Sequence, residues 1–544
     1  MTDPKSNHEG VVCLRFFFGY VVFIILLVGA ILYAGPVPQA WFGHDLFAIM
    51  EGGWKILHGS RPYIDFDTLM GPFTHLIMAL GLAITGPTPR AFPVATVLTL
   101  LPLAFFCWRE CSARMQPLTA FLTAAYLCLV WTGPSPLHFD FWETSYAMNY
   151  NRQSYTLLSL LAIVLLMPSR RNQRNNGVAI GLLLALILFF KITYFVAALI
   201  LLLPLVFIVR YSASEIRKGL IAFSLIAIPT LMWLGGPAGI AAMWSTYASA
   251  AKAREPALVV YGIDLLGLEL RGPLVITLLA VQCLVWLQRG RKDLQPITAR
   301  RLPVNYLYIE AFIVLATASF AEMGGCPNAQ IFDIPLLGAY NIILLDRMLR
   351  ATPIVPALKI RFVYWLGIFC SGLIYVTLAV TPLVGIGWAV GERAYPENYP
   401  GDTVIDSPGF QDIKFVSDRG TGSYPPGVTY VTKINDGLNL IRKHAELAHA
   451  RVGVLDFSDG LSLPLQRPSP PNMPLGFHYG VSLNETTYLP PEHIFKGCDV
   501  LMIPRYVDYD NRTVPCLLTV YRDYLDKHFT QIDQSRFWNL FVQK

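Results

Sequence analysis

Between His44 and Pro72 the chain reads HDLFAIMEGGWKILHGSRPYIDFDTLMGP, which crowds Asp45, Glu51, His58, Arg61, Asp65 and Asp67 into one stretch just after an apolar run ends. Hydrocarbon tolerates such groups poorly, so between two membrane segments they face water or line a site. A carboxylate fixed at the membrane–water boundary has a chemical use there. As a general base it takes a proton from a soluble acceptor while a lipid-borne donor lies beside it. The competing reading is an ordinary charged loop following a membrane helix. A second residue of interest is Lys191, which stands inside LLLALILFFKITYFVAALILL. An ammonium there has to snorkel, pair or line a cavity, or else mark an interface where two apolar segments meet.

Membrane helices have to position these groups. Apolar residues make up 54% of the 544 and charged residues 14%, well below the roughly 25% charged usual for soluble domains. The apolar residues fall in runs at 15–35, 69–88, 91–108, 117–131, 153–168, 177–191, 192–209, 219–236, 273–288, 304–322, 334–346 and 362–389, most of them close to the roughly 20 residues that cross a bilayer. The reading is a polytopic α-helical membrane protein with about 11–13 transmembrane helices. No small-residue cleavage site follows the first run, so it reads as a retained helix rather than a removed signal.

Basic residues set the orientation. Arg170, Arg171 and Arg174 share one short loop; Arg210, Arg217 and Lys218 another; Arg289, Arg291, Lys292, Arg300 and Arg301 a third; Arg347, Arg350, Lys359 and Arg361 a fourth. Two apolar segments separate each cluster from the next, so all four share a side, expected to be the cytoplasm. Loops 132–152, 237–272 and 323–333 then face outward, as does everything after 389. Arg109 and Arg114 conflict with this alternation if 69–88 crosses completely. Gly71, Pro72, Gly81, Gly86 and Pro87 make that segment a candidate for a re-entrant or partial crossing.

Two domains are expected: a multi-spanning domain over 1–389, with a first outer loop at 36–68, and an extracytoplasmic α/β domain over 390–544. In the second, 427–434 reads as a strand followed by a helix, 451–457 and 499–504 as further strands, and 517–529 as a last helix before FWNLFVQK. Strands alternating with helices suggest a small sandwich of roughly Rossmann-like build. No GxGxxG accompanies it, so nucleotide binding is not implied. This part holds 15 Lys+Arg against 18 Asp+Glu, an acidic domain over a basic cytoplasmic rim. The nine cysteines form no CxxC pair or Cys/His cluster, which argues against a zinc site. Cys498 and Cys516 both belong to the outer domain and are a candidate disulfide.

Asp45, Trp54, Leu57, Gly59, Pro62, Tyr63, Asp65, Phe66, Gly71 and Pro72 carry the pattern D, W-x-I-L-x-G-x-x-P-Y-x-D-F, G-P and an apolar run. It resembles the first outer loop of GT-C glycosyltransferases, polytopic enzymes that take a sugar from a polyprenyl-phosphate carrier; protein O-mannosyltransferases and lipid A aminoarabinose transferases are relatives. The Asn151–Arg152 pair in an outward loop, the FFKIT helix and the outer C-terminal domain fit the same layout. Leu46 departs from it, since many relatives carry Glu beside the Asp, and the second loop lacks a clear acidic motif.

The resemblance implies transfer of a sugar, on the outer face, to a glycan, lipid or protein acceptor, with Asp45 as the base. Asp140 or Glu143 is the candidate second carboxylate. Asp65 and Asp67, two apart on an extended stretch and so sharing a face, read as holders of sugar hydroxyls or a divalent cation, or as turn and cap residues. Tyr63 and Trp142 are candidate sugar contacts; the aromatics of 139–146 equally suit an interfacial belt. The departing phosphate needs positive charge or donors. Lys191 leads, with Arg152 and Arg61 behind it, and Asn328 and Gln330 at the opening of a late helix. Metal use is left open, and nucleic acid is not among the expected partners. A bacterial inner membrane with a periplasmic C-terminal domain is the expected setting. A transporter, or a non-catalytic subunit binding lipid-linked sugar in a polysaccharide assembly complex, remains the alternative.

Overall fold

The structure is a computed structural model, and it describes residues 4–40, 43–136, 142–167, 169, 176–209, 211–254, 271–289, 305–325, 334–350, 358–396, 402–416, 430–467, 469–505 and 512–544. The described helices run α1 (Pro4–Ala34), α2 (Gly43–Leu57), α3 (Pro72–Thr85), α4 (Ala91–Ser112), α5 (Pro117–Thr132), α6 (Asn149–Leu166), α7 (Asn176–Phe190), α8 (Ile192–Val209), α9 (Ala213–Trp233), α10 (Pro237–Ala253), α11 (Arg271–Arg289), α12 (Asn305–Gly325), α13 (Pro335–Arg350) and α14 (Leu358–Ala394). Every expected apolar run is a helix. Helices α2 and α10 are additional, in stretches read from the sequence as outer loops.

Val12–Ala34, Ala91–Ser112, Ala213–Trp233 and Arg361–Ala394 are long and apolar enough to cross a bilayer, with shorter apolar helices between them. The chain is a multi-pass membrane protein. Outward-facing Phe18, Ile25, Leu26, Phe105, Leu225, Phe312, Phe362 and Phe369 present apolar surface that suits lipid, not water. Helix α6 is the centre of the bundle. From Asn151 to Leu166 it is buried without a break, its polar Asn151, Arg152, Gln153, Ser154, Thr156 and Ser159 included.

The two ends of the bundle differ. At one, Arg114 donates to Asn176 Oδ1 at 2.7 Å, the Gln116 N–H to Asp346 Oδ1 at 2.8 Å, and Arg347 to the Leu166 carbonyl at 2.9 Å. Arg114 therefore lies with the basic ends of α6, α7 and α13. The conflict over 69–88 resolves accordingly. At the N-terminal end of α3 the Gly71 N–H donates to the Phe190 carbonyl at 3.0 Å. Beyond its C-terminal end Arg90 Nε donates to Asp412 Oδ2 at 2.5 Å. Both ends of α3 thus lie at the opposite end of the bundle, and its 14 residues span roughly 21 Å at the helical rise. It begins and ends at the same end of the bundle.

The C-terminal part packs on that same end. After β1 (Asp402–Thr403) and β2 (Phe415–Val416) come α15 (Tyr430–Arg442), β3 (Val452–Val454), α16 (Pro491–Ile494), β4 (Val500–Pro504), α17 (Thr513–His528), β5 (Phe529–Gln534) and β6 (Trp538–Gln543). Two expectations are corrected here. The strand expected at 427–434 is helix from Tyr430 on; 427–429 lie outside the described residues. Tyr430, Val431, Ile434, Leu438 and Ile441 recur at helical spacing and all are buried, and that period outweighs the local alternation. The Rossmann-like build is also replaced. The sheet order is β3-β4-β6-β5, with β3 and β4 parallel and the other pairs antiparallel. A turn of a few residues joins β5 to β6, and so short a connection permits only an antiparallel pair. FWNLFVQK, unassigned from sequence, supplies β6.

Cys498 and Cys516 are not joined; both are buried free thiols. They sit in one apolar cluster, with Cys498 Sγ donating to the Val500 carbonyl at 3.1 Å.

Apolar packing fastens this part to α2. Phe47 stacks on Phe410 with ring centroids 6.0 Å apart and tilts against Tyr430 at 6.2 Å. Leu46, Ile49 and Met50 join Val431, Ile434, Val452 and Trp538 in one core. On its other side α2 meets α3 closely enough to exclude side chains. A Cβ on Gly52 would fall 2.1 Å from the His75 ring, and one on Gly53 2.8 Å from the Ala79 nitrogen. Helix α2 is thus clamped between α3 and the α/β part, which fixes its first turn.

Candidate active site

Asp45 lies in the first turn of α2, where a carboxylate complements the positive end of the helix dipole. Its side chain is 16% exposed, and His44 Nε2 stands 3.6 Å from its Oδ1. Across from it, Met148 adopts a left-handed conformation with φ 55° immediately before α6. Such a conformation in a non-glycine residue costs on the order of 1–3 kcal/mol and is held only where the surroundings demand it. Here it turns the Met148 N–H onto the Asp45 carboxylate. Burial pushes the Asp45 pKa up from 3.8 to about 6, while that N–H and the positive charge of Lys191 pull it back.

Lys191 is the single non-helical residue between α7 and α8. Its Nζ donates to Asn151 Oδ1 at 2.7 Å and lies 4.9 Å from the Tyr150 ring and 5.7 Å from that of Tyr194, within the range where aromatic faces attract a cation. The motif glycine explains how the loop reaches this break. A Cβ on Gly71 would lie 2.1 Å from the Phe189 carbonyl oxygen and 2.3 Å from that of Phe190. Only glycine lets the backbone press against the end of α7. The first outer loop, the break at Lys191 and the start of α6 therefore meet, and they bring Asp45, Asn151 and Lys191 to one place.

The remaining candidates separate. Arg61 and Asp65 bind each other: the Arg61 N–H and Nε donate to Asp65 Oδ2 at 2.8 and 3.1 Å. Asp67 accepts from Thr246 of α10 at 2.9 Å, and burial raises its pKa. The stretch is not extended as expected; Pro62 bridges Phe66 across a turn and Tyr63 has φ 69°. Asp65 and Asp67 take separate partners, Arg61 and Thr246. Tyr63 is buried against Tyr247, their hydroxyls 3.0 Å apart, with its hydroxyl 3.1 Å from the Met70 carbonyl; it belongs to the packing under the loop rather than to an open sugar platform. Trp142 is exposed and Glu143 half-buried. Asp140, Asn328 and Gln330 lie outside the described residues. Arg152 is about 100° from Asn151 around the helix and faces another way: its guanidinium occupies the space beside Gly133, where a Cβ would lie 2.1 Å from Nη1.

Several contacts and partner residues escaped the sequence reading. Tyr150 and Tyr194 enclose Lys191, and their spacing, one residue before Asn151 and three after Lys191, is the signal that points to them. Tyr155, 4.8 Å from the Tyr194 ring, donates to Glu322, an acidic residue buried in α12. A second polar cluster joins α2 to the α/β part. Lys55 Nζ donates to the carbonyls of Pro470 and Pro471 at 2.7 and 3.1 Å, and Ser469 donates to Glu51. Burial raises the pKa of Glu51 and lowers that of Lys55, each opposing the other's shift. The same domain reaches the residue beside Asp45, since Ser458 donates to the His44 carbonyl at 2.9 Å and Phe457 packs 4.2 Å from the His44 ring. Among the described residues, no three His, Cys, Asp or Glu side chains gather as a metal-binding group.

The class these observations define is a multi-pass membrane protein with a polar site where its helices meet an α/β domain. No family model and no curated protein matches the chain. Among solved structures it is similar to ArnT from Cupriavidus metallidurans bound to undecaprenyl phosphate, at a TM-score of 0.45 and 12% identity over 96% of this chain and 98% of that one. It is similar also to the apo state of ArnT from the same organism, at a TM-score of 0.39 and 11% identity over the same shares.

Proposed function

We propose that this protein is a membrane glycosyltransferase that moves a sugar from a polyprenyl-phosphate carrier to an acceptor. The convergence of Asp45, the Met148 N–H and the Asn151-held Lys191 carries the reading. In the reaction an acceptor hydroxyl or amine attacks the anomeric carbon and gives its proton to Asp45. The anomeric C–O bond breaks, and its electron pair leaves with the polyprenyl phosphate, whose charge Lys191 balances. A base poised near neutrality suits the role, and the Asp45 pKa of about 6 leaves it mostly ionised at pH 7. In this reading eleven helices cross, α1, α4–α9 and α11–α14, while α2, α3 and α10 lie at the outer boundary. The basic end of the bundle is cytoplasmic by the positive-inside rule. The α/β domain is then extracytoplasmic, on the periplasmic side if the host is bacterial.

The test is transfer by the purified protein from a defined polyprenyl-phosphate sugar, with and without divalent cations. Asp45→Asn is expected to lose about 10²–10⁴ in rate while still binding donor. Near-normal turnover by Asp45→Asn would move the base elsewhere. Donor binding and flux with no transfer in the wild type would favour a transporter or binding subunit.

A further inference from the structure

We propose that the buried contact between α2 and the α/β domain is a pH-sensitive latch, closed while Glu51 carries a proton and loosened when Glu51 ionises. The charges in this contact do not balance. Glu51, Lys55 and Asp459 are 1%, 5% and 7% exposed, two carboxylates against a single ammonium. Among the described residues, Lys55 is the one cation whose charge acts on either carboxylate. His75 of α3 faces the same turn, since a Cβ on Gly52 would fall 2.1 Å from its Nδ1. Burial lowers the His75 pKa to about 4, which leaves that ring neutral. With both acids ionised the contact would hold a net negative charge away from water, a costly state that one bound proton removes.

The hydrogen bonds decide which acid takes the proton. Asp459 Oδ1 accepts from the Leu461 and Ser462 N–H groups at 2.9 and 3.0 Å, and Oδ2 accepts from the Ser462 hydroxyl at 2.5 Å. Three donors favour the ionised form of Asp459. Glu51 has the Ser469 hydroxyl as its one donor among the described residues. Burial raises the Glu51 pKa above 4.5, opposed by Lys55 and reinforced by Asp459. The latch also touches the site. Helix α2 carries Asp45 in its first turn, and Ser458, next to Asp459, donates to the His44 carbonyl. Opening the contact returns Glu51 to water and to its ordinary pKa of 4.5. Opening is therefore rarest in acid and rises above pH 4.5 by at most about tenfold per pH unit. It levels off once Glu51 is ionised in the closed state as well.

The experiment follows hydrogen exchange in the full-length protein in nanodiscs, from about pH 5 to 8, in the peptide that holds Leu475. The Leu475 N–H donates to the Asp67 carbonyl across the contact at 3.2 Å, so its protection reports closure. After correction for the intrinsic exchange rate, opening is expected to rise about tenfold or more over this range in wild type. Glu51→Gln mimics the protonated acid, and its opening is expected to stay flat or fall, since burial lowers the pKa of the Lys55 that remains. Asp45 titrates in the same range in both proteins, so the difference between them isolates Glu51. A flat wild-type profile, or an equal rise in Glu51→Gln, would overturn the proposal. If Glu51→Gln does not fold, Ser469→Ala decides. Loss of that donor keeps the proton on Glu51 to higher pH, so the levelling point is expected to move up, and an unmoved profile would sink the latch. No arm reads sugar transfer, so failure here and failure of the proposed activity are separate results.

Discussion

The two ends of the helix bundle handle buried charge in opposite ways. At the basic end, carboxylates meet cations directly. Arg114 lies 2.6 Å from Glu110, Arg347 2.6 Å from Glu310, Arg350 2.5 Å from Asp346 and Lys218 3.1 Å from Glu215. At the other end Asp45 is oriented by a peptide N–H, and Lys191 is held by an amide oxygen between aromatic faces. Direct pairing neutralises a charge and locks the helices that carry it. Contacts to neutral dipoles fix a charge's position without cancelling it. The first arrangement suits an anchor, and the second suits a site that receives charge during a reaction.

Breaking an anchor is expected to have the largest effect on stability. Arg347→Met strips Glu310 of its partner in a place where both are buried, a change that typically costs about 3–5 kcal/mol. A lower melting temperature with unchanged turnover per folded molecule is the expected result. Lost turnover at unchanged stability would mean the basic end takes part in the chemistry.

Lys191→Met acts at the other end and is expected to do the reverse. Methionine keeps much of the length and none of the charge. Removing a hydrogen bond made by a charged group is worth about 1.5–3 kcal/mol, so donor affinity is expected to fall about tenfold or more while melting changes little. Unchanged donor affinity and turnover would reduce this lysine to an interfacial anchor.

The pH dependence sharpens the contrast further. Asp45 works as a base only when ionised, so kcat/KM is expected to fall about tenfold per pH unit below about 6. Its stability contribution has the opposite sign. The folded-state pKa lies above the unfolded value of 3.8, so the native protein holds the proton more tightly and stability from this group declines as pH rises from 3.8 to about 6. Asp45→Asn removes that burden and is expected to melt no lower than wild type at pH 7.5. A marked drop would make Asp45 a structural residue.

Much of this contrast was legible in the sequence and part of it was not. Asp45 and Lys191 stand out because hydrophobicity makes a charge in their neighbourhoods costly, and the helices follow from apolar runs. Helix α2 was missed because Asp45, Glu51 and Lys55 punctuate its apolar residues, and a short charged stretch after an apolar run reads as a loop although most of it is buried. The bond from Asn151 to Lys191 and the one from Tyr155 to Glu322 join positions far apart in the chain, and no local pattern announces such pairs. Asp65 and Asp67 misled for a different reason. Two alternate carboxylates suggest a shared face only if the backbone is extended, and the left-handed Tyr63 turns it instead.

That turn gives the smallest expected effect. Asp65 is bound to Arg61 with both side chains part-exposed, 32% and 44% accessible, and pairs of that kind contribute about 0–1 kcal/mol after solvent screening. Asp65→Asn keeps an oxygen that can accept from the Arg61 N–H and removes only the charge. Melting is expected to shift slightly and transfer to change by no more than a few-fold. The outcome matters because Asp45 and Asp65 belong to the same short motif yet sit in different surroundings, one buried near Lys191 and the other already committed to a neighbour. If Asp65→Asn cripples transfer as Asp45→Asn is expected to, the Arg61 pair opens to engage sugar during the cycle. The contrast between paired anchors and available charge would then fail within the loop that carries the site.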